Sequence, residues 1–209
     1  ESAEQVQQVD AEIANIRENN PSENMAEKIF YMPIIESALG VAKAYEISTA
    51  SKNVVALAIG LEDFTADLGV QRTKEATESL FARMRLVNAA KAARIQPIDS
   101  VFSDVSDMEG LKENVRVSKS LGFEDMGCIH PRQIKIIKNS FAPEEKEIEK
   151  AKKIVNAFID ATEKGFGVVS LGSKMIDPPV VKRAEKVIKL AVDMNIIPEN
   201  WREEMKEQQ

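Results

Sequence analysis

The chain has 209 residues, 44% hydrophobic and 30% charged, the balance of a soluble globular domain with room for a small appendage. A formal net charge of −6 and a pI near 5.1 leave no basic footprint for nucleic acid, and no apolar run approaches the roughly 20 residues that span a bilayer. One cysteine, Cys128, excludes an internal disulfide and fits a reducing cytoplasm; one histidine, His130, excludes a histidine-rich zinc site, so any metal is held mainly by oxygen.

The first residue is not Met, which points to a processing boundary, and the polar opening from Ser2 to Arg17 reads as an amphipathic helix rather than a signal peptide. Four short apolar runs follow that read as buried strands: Ile29 to Ile35, Val54 to Ile59, Ile98 to Phe102 and Met126 to Ile129. Helical spacing fills the gaps. Lys74 to Ala93 places Ala76, Leu80, Met84, Val87 and Ala90 on one face, and Gly110 to Leu121 is a shorter helix of the same kind. Strand then helix, four times over, predicts β/α units around a parallel sheet, because parallel strands need a helical crossover. A chain of this kind that opens on a helix begins in the middle of a unit.

Beyond the fourth strand the pattern changes. "APEEKEIEKAKKIVNAFIDATEKG" predicts one long helix closed by Gly165, an irregular stretch follows, and Pro178 and Pro179 open another helix at its tolerant first turn. Pro198 to Gln209 reads as a short charged helix. The organisation is therefore a β/α region over residues 1–139 and a helical appendage over 140–209.

Two successive strands end in acids: "MPIIES" delivers Glu36, and "LAIGLED" delivers Glu62 and Asp63. Sites in barrels and open α/β sheets form at that carboxyl-terminal edge. Such acids either cap the following helix or meet a cation. Neighbouring strands, about 4.8 Å apart, bring Glu36 and one of the second pair within reach of a single hard cation. Alternation along the strand predicts that Glu62 and Asp63 point into different spaces. Of the acids after the third strand, Asp104 and Asp107, the second precedes "MEGL" and reads as a helix cap. Arg72, in "GVQRT", suits a phosphate, a carboxylate or a surface role; His130, in "GCIHPRQI", is either a hydrogen-bonded structural residue or a binding group; Asp177, in "KMIDPP", reads as a helix cap.

"PIIESALGV", "AIGLEDFTADLGVQRT", "PIDSVFSDVSDMEGL", "LGFEDMGCIHPRQI" and "GVVSLGSKMIDPPVVKRAEKVI" resemble, in order and spacing, the second half of the citrate lyase β family, within the wider group of HpcH/HpaI aldolases and citryl, malyl and citramalyl thioester lyases. The resemblance implies a TIM-type β/α barrel, here four β/α units of its second half, with a C-terminal helical lid in a cytoplasmic trimer or hexamer that has other citrate lyase subunits as possible partners. It implies Glu36 and Asp63 as ligands of Mg2+ (or Mn2+), Asp177 as the acid that protonates an enolate, and His130, Gln133 and Arg72 beside a CoA or acyl-carrier (ACP) thioester. The implied reaction cleaves a 3-hydroxy-acyl thioester such as citryl-CoA to an α-keto acid, oxaloacetate, and an acetyl thioester. Malyl-CoA or citramalyl-CoA cleavage is the same chemistry. A non-catalytic half-barrel, serving binding or assembly, is the rival of another class.

Overall fold

The computed structural model describes residues 1–20, 28–163, 165, 169–171 and 174–207. They form two compact units, Glu1–Phe141 and Ala142–Gln209.

The first unit opens on α1 (Ala3–Asn19), started by a capping box in which Ser2 Oγ accepts the Gln5 N–H and Gln5 Oε1 accepts the Ser2 N–H at 3.2 Å. Asp10 fastens α1 to the sheet: its carboxylate accepts the Tyr31 hydroxyl at 2.5 Å and Asn53 Nδ2 at 3.0 Å. Hydrogen bonds from Ser51, Tyr31 and Asn53 hold the Asp10 carboxyl below its ordinary value. Next come β1 (Ile34–Ile35), α2 (Ala38–Ala42), α3 (Ala44–Ser48), β2 (Ala56–Ile59) and α4 (Leu61–Leu68). They are followed by α5 (Thr77–Ala93), β3 (Gln96–Asp99), α6 (Met108–Leu121), β4 (Asp125–Met126) and α7 (Pro131–Phe141).

The four strands form one parallel sheet in the order β1-β2-β3-β4, with Ile34 opposite Ala58, Ala58 opposite Ile98 and Ile98 opposite Asp125. An isolated bridge joins Tyr31 to Val54 ahead of β1. From that bridge to the Ile34–Ala58 pair the first strand advances three residues and the second four, a slip at Pro33, which has no N–H to donate. Ile35, Leu57 and Ile59 pack into a core with Leu86, Leu111 and Val115, while Ile34, in register on the other face, is exposed, as are Phe30 and Met32. Parallel sheets are ordinarily covered on both faces; among the described residues this second face is exposed along the first strand, while Ala56 and Ala58 of β2 are buried.

The α/β class with a parallel sheet agrees with the sequence, but details differ. The third strand starts at Gln96 and stops at Asp99 rather than running on to Phe102, because Asp99 Oδ1 accepts the Ser100 N–H at 2.8 Å and turns the chain out. The fourth is Asp125–Met126, which shares only Met126 with the run from Met126 to Ile129 expected to form it. Helix α5 buries Ser79, Ala82, Arg83, Leu86, Ala89 and Ala90, whereas Leu80 and Met84 face solvent with Phe81. Apart from Leu86 and Arg83 the buried side chains are small, and Leu80, Phe81 and Met84 are turned outward.

In the second unit, α8 (Glu145–Glu163) precedes the antiparallel pair β5 (Val169–Leu171) and β6 (Lys174–Ile176), then α9 (Pro178–Asp193) and α10 (Trp201–Glu207). Ala151, Ile154 and Val155 of α8 pack with Val181, Ala184 and Ile188 of α9. Gly165, at φ +82, supplies the left-handed turn expected after α8. The hairpin replaces the irregular stretch that the sequence suggested, and residues 166–168 and 172–173 of that motif lie outside the described residues.

Candidate metal centre

Glu36 follows β1 directly, and Asp63 is not on a strand at all: β2 ends at Ile59, Gly60 is the cap residue, and Leu61, Glu62 and Asp63 form the first turn of α4. The expected divergence of Glu62 and Asp63 therefore holds for a different reason, the roughly 100° step of a helix rather than the alternation of a strand. Two hydrogen bonds lock the Glu36 turn onto this helix. The Gly60 N–H donates to Ile35 O at 2.9 Å, and the Ala38 N–H donates to Asp67 Oδ2 at 2.8 Å. Asp63 and Asp67 are four residues apart, so they share a face of α4. The face that grips Ala38 through Asp67 thus carries Asp63 one turn nearer the helix N-terminus.

Glu36 lies across that terminus. A Cβ on Gly60 would sit 2.9 Å from Glu36 Oε2, so the carboxylate occupies the space a side chain would fill. The N-terminal end of a helix favours negative charge. Among the described residues no hydrogen bond or ion pair engages Glu36 or Asp63, whereas Glu62 accepts Arg72 Nη1 at 2.6 Å. Nor, among those residues, is any group of three or more His, Cys, Asp or Glu side chains gathered for a metal. The donor set is two carboxylates with coordination completed from outside the protein, which suits Mg2+: that ion keeps several waters and is usually bound by one or two carboxylates.

Other sequence candidates fall into defined roles. His130 precedes α7; its Nδ1 accepts the Arg132 N–H at 3.2 Å and its carbonyl the Gln133 N–H at 2.9 Å. Gln133 is fully buried, with Oε1 accepting the Ile129 N–H at 3.0 Å and Nε2 donating to Phe102 O at 2.9 Å. It ties the turn after β4 to the segment after β3. Asp107 caps α6 through the Gly110 N–H at 2.8 Å, as read from the sequence. The Ser106 hydroxyl, with the N–H groups of Ser106 and Asp107, holds the Asp104 carboxyl below its ordinary value. In the second unit Asp177 caps α9, with Oδ1 accepting the Val180 N–H at 3.1 Å.

Sequence reasoning missed a buried cluster on the helix-facing side of β3. Arg83 forks onto both oxygens of Asp99, Ser118 Oγ donates to Asp99 Oδ2 at 2.6 Å, and the guanidinium lies over the Phe123 ring, 5.7 Å from its centroid. The available signal was an arginine among alanines and leucines on one helical face. Ser100, next to Asp99, accepts the Leu61 N–H at 3.3 Å and so braces the first turn of α4.

The HpcH/HpaI aldolase/citrate lyase family model matches residues 1–131. The chain belongs to this family. The citrate lyase subunit β of Haemophilus influenzae is 40% identical over 191 residues, 91% of this chain and 65% of that protein. The mitochondrial citramalyl-CoA lyase of Homo sapiens is 31% identical over 171 residues, 78% of this chain and 50% of that protein. Among solved structures, the CitE protein of Mycobacterium tuberculosis in complex with magnesium, acetoacetate and coenzyme A matches with a TM-score of 0.67 and 28% identity, covering 78% of this chain and 61% of that one. The chain thus spans between half and two thirds of the length of these family members. The likeness carried by the five motifs is borne out at family level.

Proposed function

We propose that this chain is the metal-bearing part of a Mg2+-dependent carbon–carbon lyase that cleaves a 3-hydroxy-acyl thioester, citryl-CoA or a citryl carrier-protein thioester, to oxaloacetate and an acetyl thioester. The observation that carries the reading is the shared α4 face of Asp63 and Asp67, pinned to the turn that presents Glu36, with both candidate ligands otherwise unengaged among the described residues. Citramalyl-CoA is the second substrate, favoured by the likeness to citramalyl-CoA lyase; malyl-CoA involves the same bond change.

Glu36 and Asp63 would hold the cation, which when bound would supply positive charge to the substrate hydroxyl oxygen as its proton passes to water, the carbon–carbon bond breaks and that oxygen becomes the keto oxygen. Asp177 protonates the carbon released as an enolate. His130 flanks the thioester arm, Gln133 holds the turn that carries His130, and Arg72 acts through Glu62. Exposed Phe30, Met32 and Ile34 along the first strand support a barrel closed by further β/α units. Exposed Leu80, Phe81 and Met84 along α5 support a trimer or hexamer, and the single cysteine supports a cytoplasmic setting.

The test has two arms. Mg2+ or Mn2+ binding is titrated on the chain itself, and cleavage of citryl-CoA, malyl-CoA and citramalyl-CoA is assayed in a polypeptide that carries the remaining β/α units. Glu36→Gln and Asp63→Asn are expected to lower metal affinity and turnover on the order of a hundredfold or more. Full activity in either variant would sink the ligand assignment.

A further inference from the structure

The two consecutive acids that open α4 meet different fates. Glu62 is clasped by Arg72 across ten residues of sequence, with Nη1 to Oε1 at 2.6 Å, and the Glu62 side chain remains 62% exposed. Asp63, the neighbouring residue, has no partner among the described residues. Glu62 is nonetheless the longer side chain and stands in the same helical turn as Asp63, and with Glu62 so clasped no three carboxylates gather as a metal-holding group among the described residues. A hard cation gathers every oxygen that can reach it, and its affinity rises with the number of charged ligands. A third carboxylate would also fill a position that a chelating α-keto acid needs.

We propose that Arg72 is a positioning residue that withholds Glu62 from the cation, keeping the protein's contribution at two carboxylates and leaving adjacent positions open for a 2-oxo acid. The inference rests on Glu36 and Asp63 being the metal ligands. The clasp is built rather than incidental. The Arg72 side chain is only 23% exposed, and the next residue is tethered to the first turn of α5: Thr73 Oγ1 donates to Glu78 Oε2 at 2.7 Å and Thr73 N to Glu78 Oε1 at 3.4 Å. That tether presents the guanidinium from a fixed segment, and a guanidinium stays charged at every physiological pH. Glu62 and Arg72 also line a cavity of about 500 Å3 with Ser100, Phe102 and Asp104, which neither Glu36 nor Asp63 reaches. The pair therefore divides the edge of the sheet between the metal carboxylates and that cavity.

A purely structural arginine and a withholding arginine differ in the sign of one measurement. Mn2+ binding to the chain is followed by calorimetry and by the electron paramagnetic resonance of the bound ion, with and without oxaloacetate. Arg72→Gln is expected to bind Mn2+ more tightly, on the order of tenfold, while oxaloacetate binding to the Mn2+ form weakens by a similar factor. Glu62→Gln added to Arg72→Gln is expected to return both values to wild type, Glu62→Gln alone to change Mn2+ affinity by no more than about twofold, and Arg72→Lys to fall between. Equal or weaker Mn2+ binding in Arg72→Gln, or no reversal by Glu62→Gln, overturns the proposal. A large loss of Mn2+ affinity in Glu62→Gln alone would make Glu62 a ligand and overturn it as well. If the wild-type chain binds no Mn2+, or if Glu36→Gln and Asp63→Asn bind it as well as wild type, the ligand assignment itself fails, and the proposal with it.

Discussion

Asp67 accepts the Ala38 N–H at 2.8 Å, and this side-chain bond, beside the backbone bond from Gly60 N–H to Ile35 O, joins the turn that presents Glu36 to the helix that presents Asp63. Carboxylates from separate β/α units can serve one cation only if their spacing is held by something other than the ion. Asp67→Ala is expected to weaken Mn2+ binding on the order of tenfold, the usual scale for a residue that orients a ligand, and to lower stability by only about 1 kcal/mol. Asp67→Asn keeps an acceptor oxygen and should retain most of the affinity. Calorimetric titration beside thermal unfolding separates the effects, and unaltered Mn2+ affinity in Asp67→Ala would mean that the turn is held by the Gly60 to Ile35 bond alone.

Gly60 provides a second handle on the same geometry. Its φ of −102° suits any residue, so glycine is not required there by the backbone. What forbids a side chain is the Glu36 carboxylate, 2.9 Å from the position of a Cβ, with Ile34 Cγ2 at 3.2 Å behind it. Gly60→Ala should therefore displace Glu36 and reduce Mn2+ affinity, and should cost about 1–3 kcal/mol of stability, because Glu36 Cβ would also lie 3.0 Å away. A variant that binds Mn2+ like wild type would show that the carboxylate can take its ligand position from another rotamer.

The acid-bearing edge was legible in the sequence because it rests on local facts: an apolar run, an acid directly after it, and a repetition of both. Glu36 and the Glu62–Asp63 pair could be named from that pattern, as could the caps Asp107 and Asp177, whereas the choice of Asp63 over Glu62 came only from the family resemblance. The pin from Asp67 to Ala38 could not, since it joins residues 29 apart through a backbone N–H that carries no sequence signature. The inward face of α5 was misread because apolarity was weighed above size. Leu80 and Met84 are more hydrophobic than Ser79 and Ala82, yet it is the smaller pair that is buried, together with Leu86, and Arg83 enters because Asp99 receives it. Asp99 looked like one polar residue in a strand motif, and its partners come from two different helices.

That Arg83–Asp99 pair predicts a large and specific stability effect. Both side chains are almost fully excluded from solvent, at 3% and 2% exposure, and the fork is completed by Ser118 and the Ser100 N–H. Removing one partner leaves the other charge buried without compensation, so Arg83→Met or Asp99→Asn should each lower stability by about 3–5 kcal/mol in urea denaturation. Arg83→Met combined with Asp99→Leu should recover a substantial part of that loss, because no buried charge is then unpaired. Equal losses in the single and double variants would mean that shape, rather than charge, is what the cluster supplies.

Asp177 caps α9 in the structure and is the enolate acid only under the proposed function, and a pair of variants separates the two. The prolines at the first two positions of α9 have no N–H, so Val180 offers the first donor of the helix, and Asp177 Oδ1 takes it at 3.1 Å. Asp177→Ala loses that cap and should cost about 1 kcal/mol. Asp177→Asn retains an acceptor oxygen, so stability and Mn2+ affinity should stay at wild-type levels. An amide cannot donate a proton to an enolate, however, so if Asp177 is the acid, thioester cleavage by Asp177→Asn falls by about 10²–10⁴-fold. Activity in Asp177→Asn is thus the deciding measurement: a wild-type rate would leave Asp177 as a cap alone, whereas a large loss in a fully folded, metal-binding variant can arise only from the chemistry of the carboxyl group.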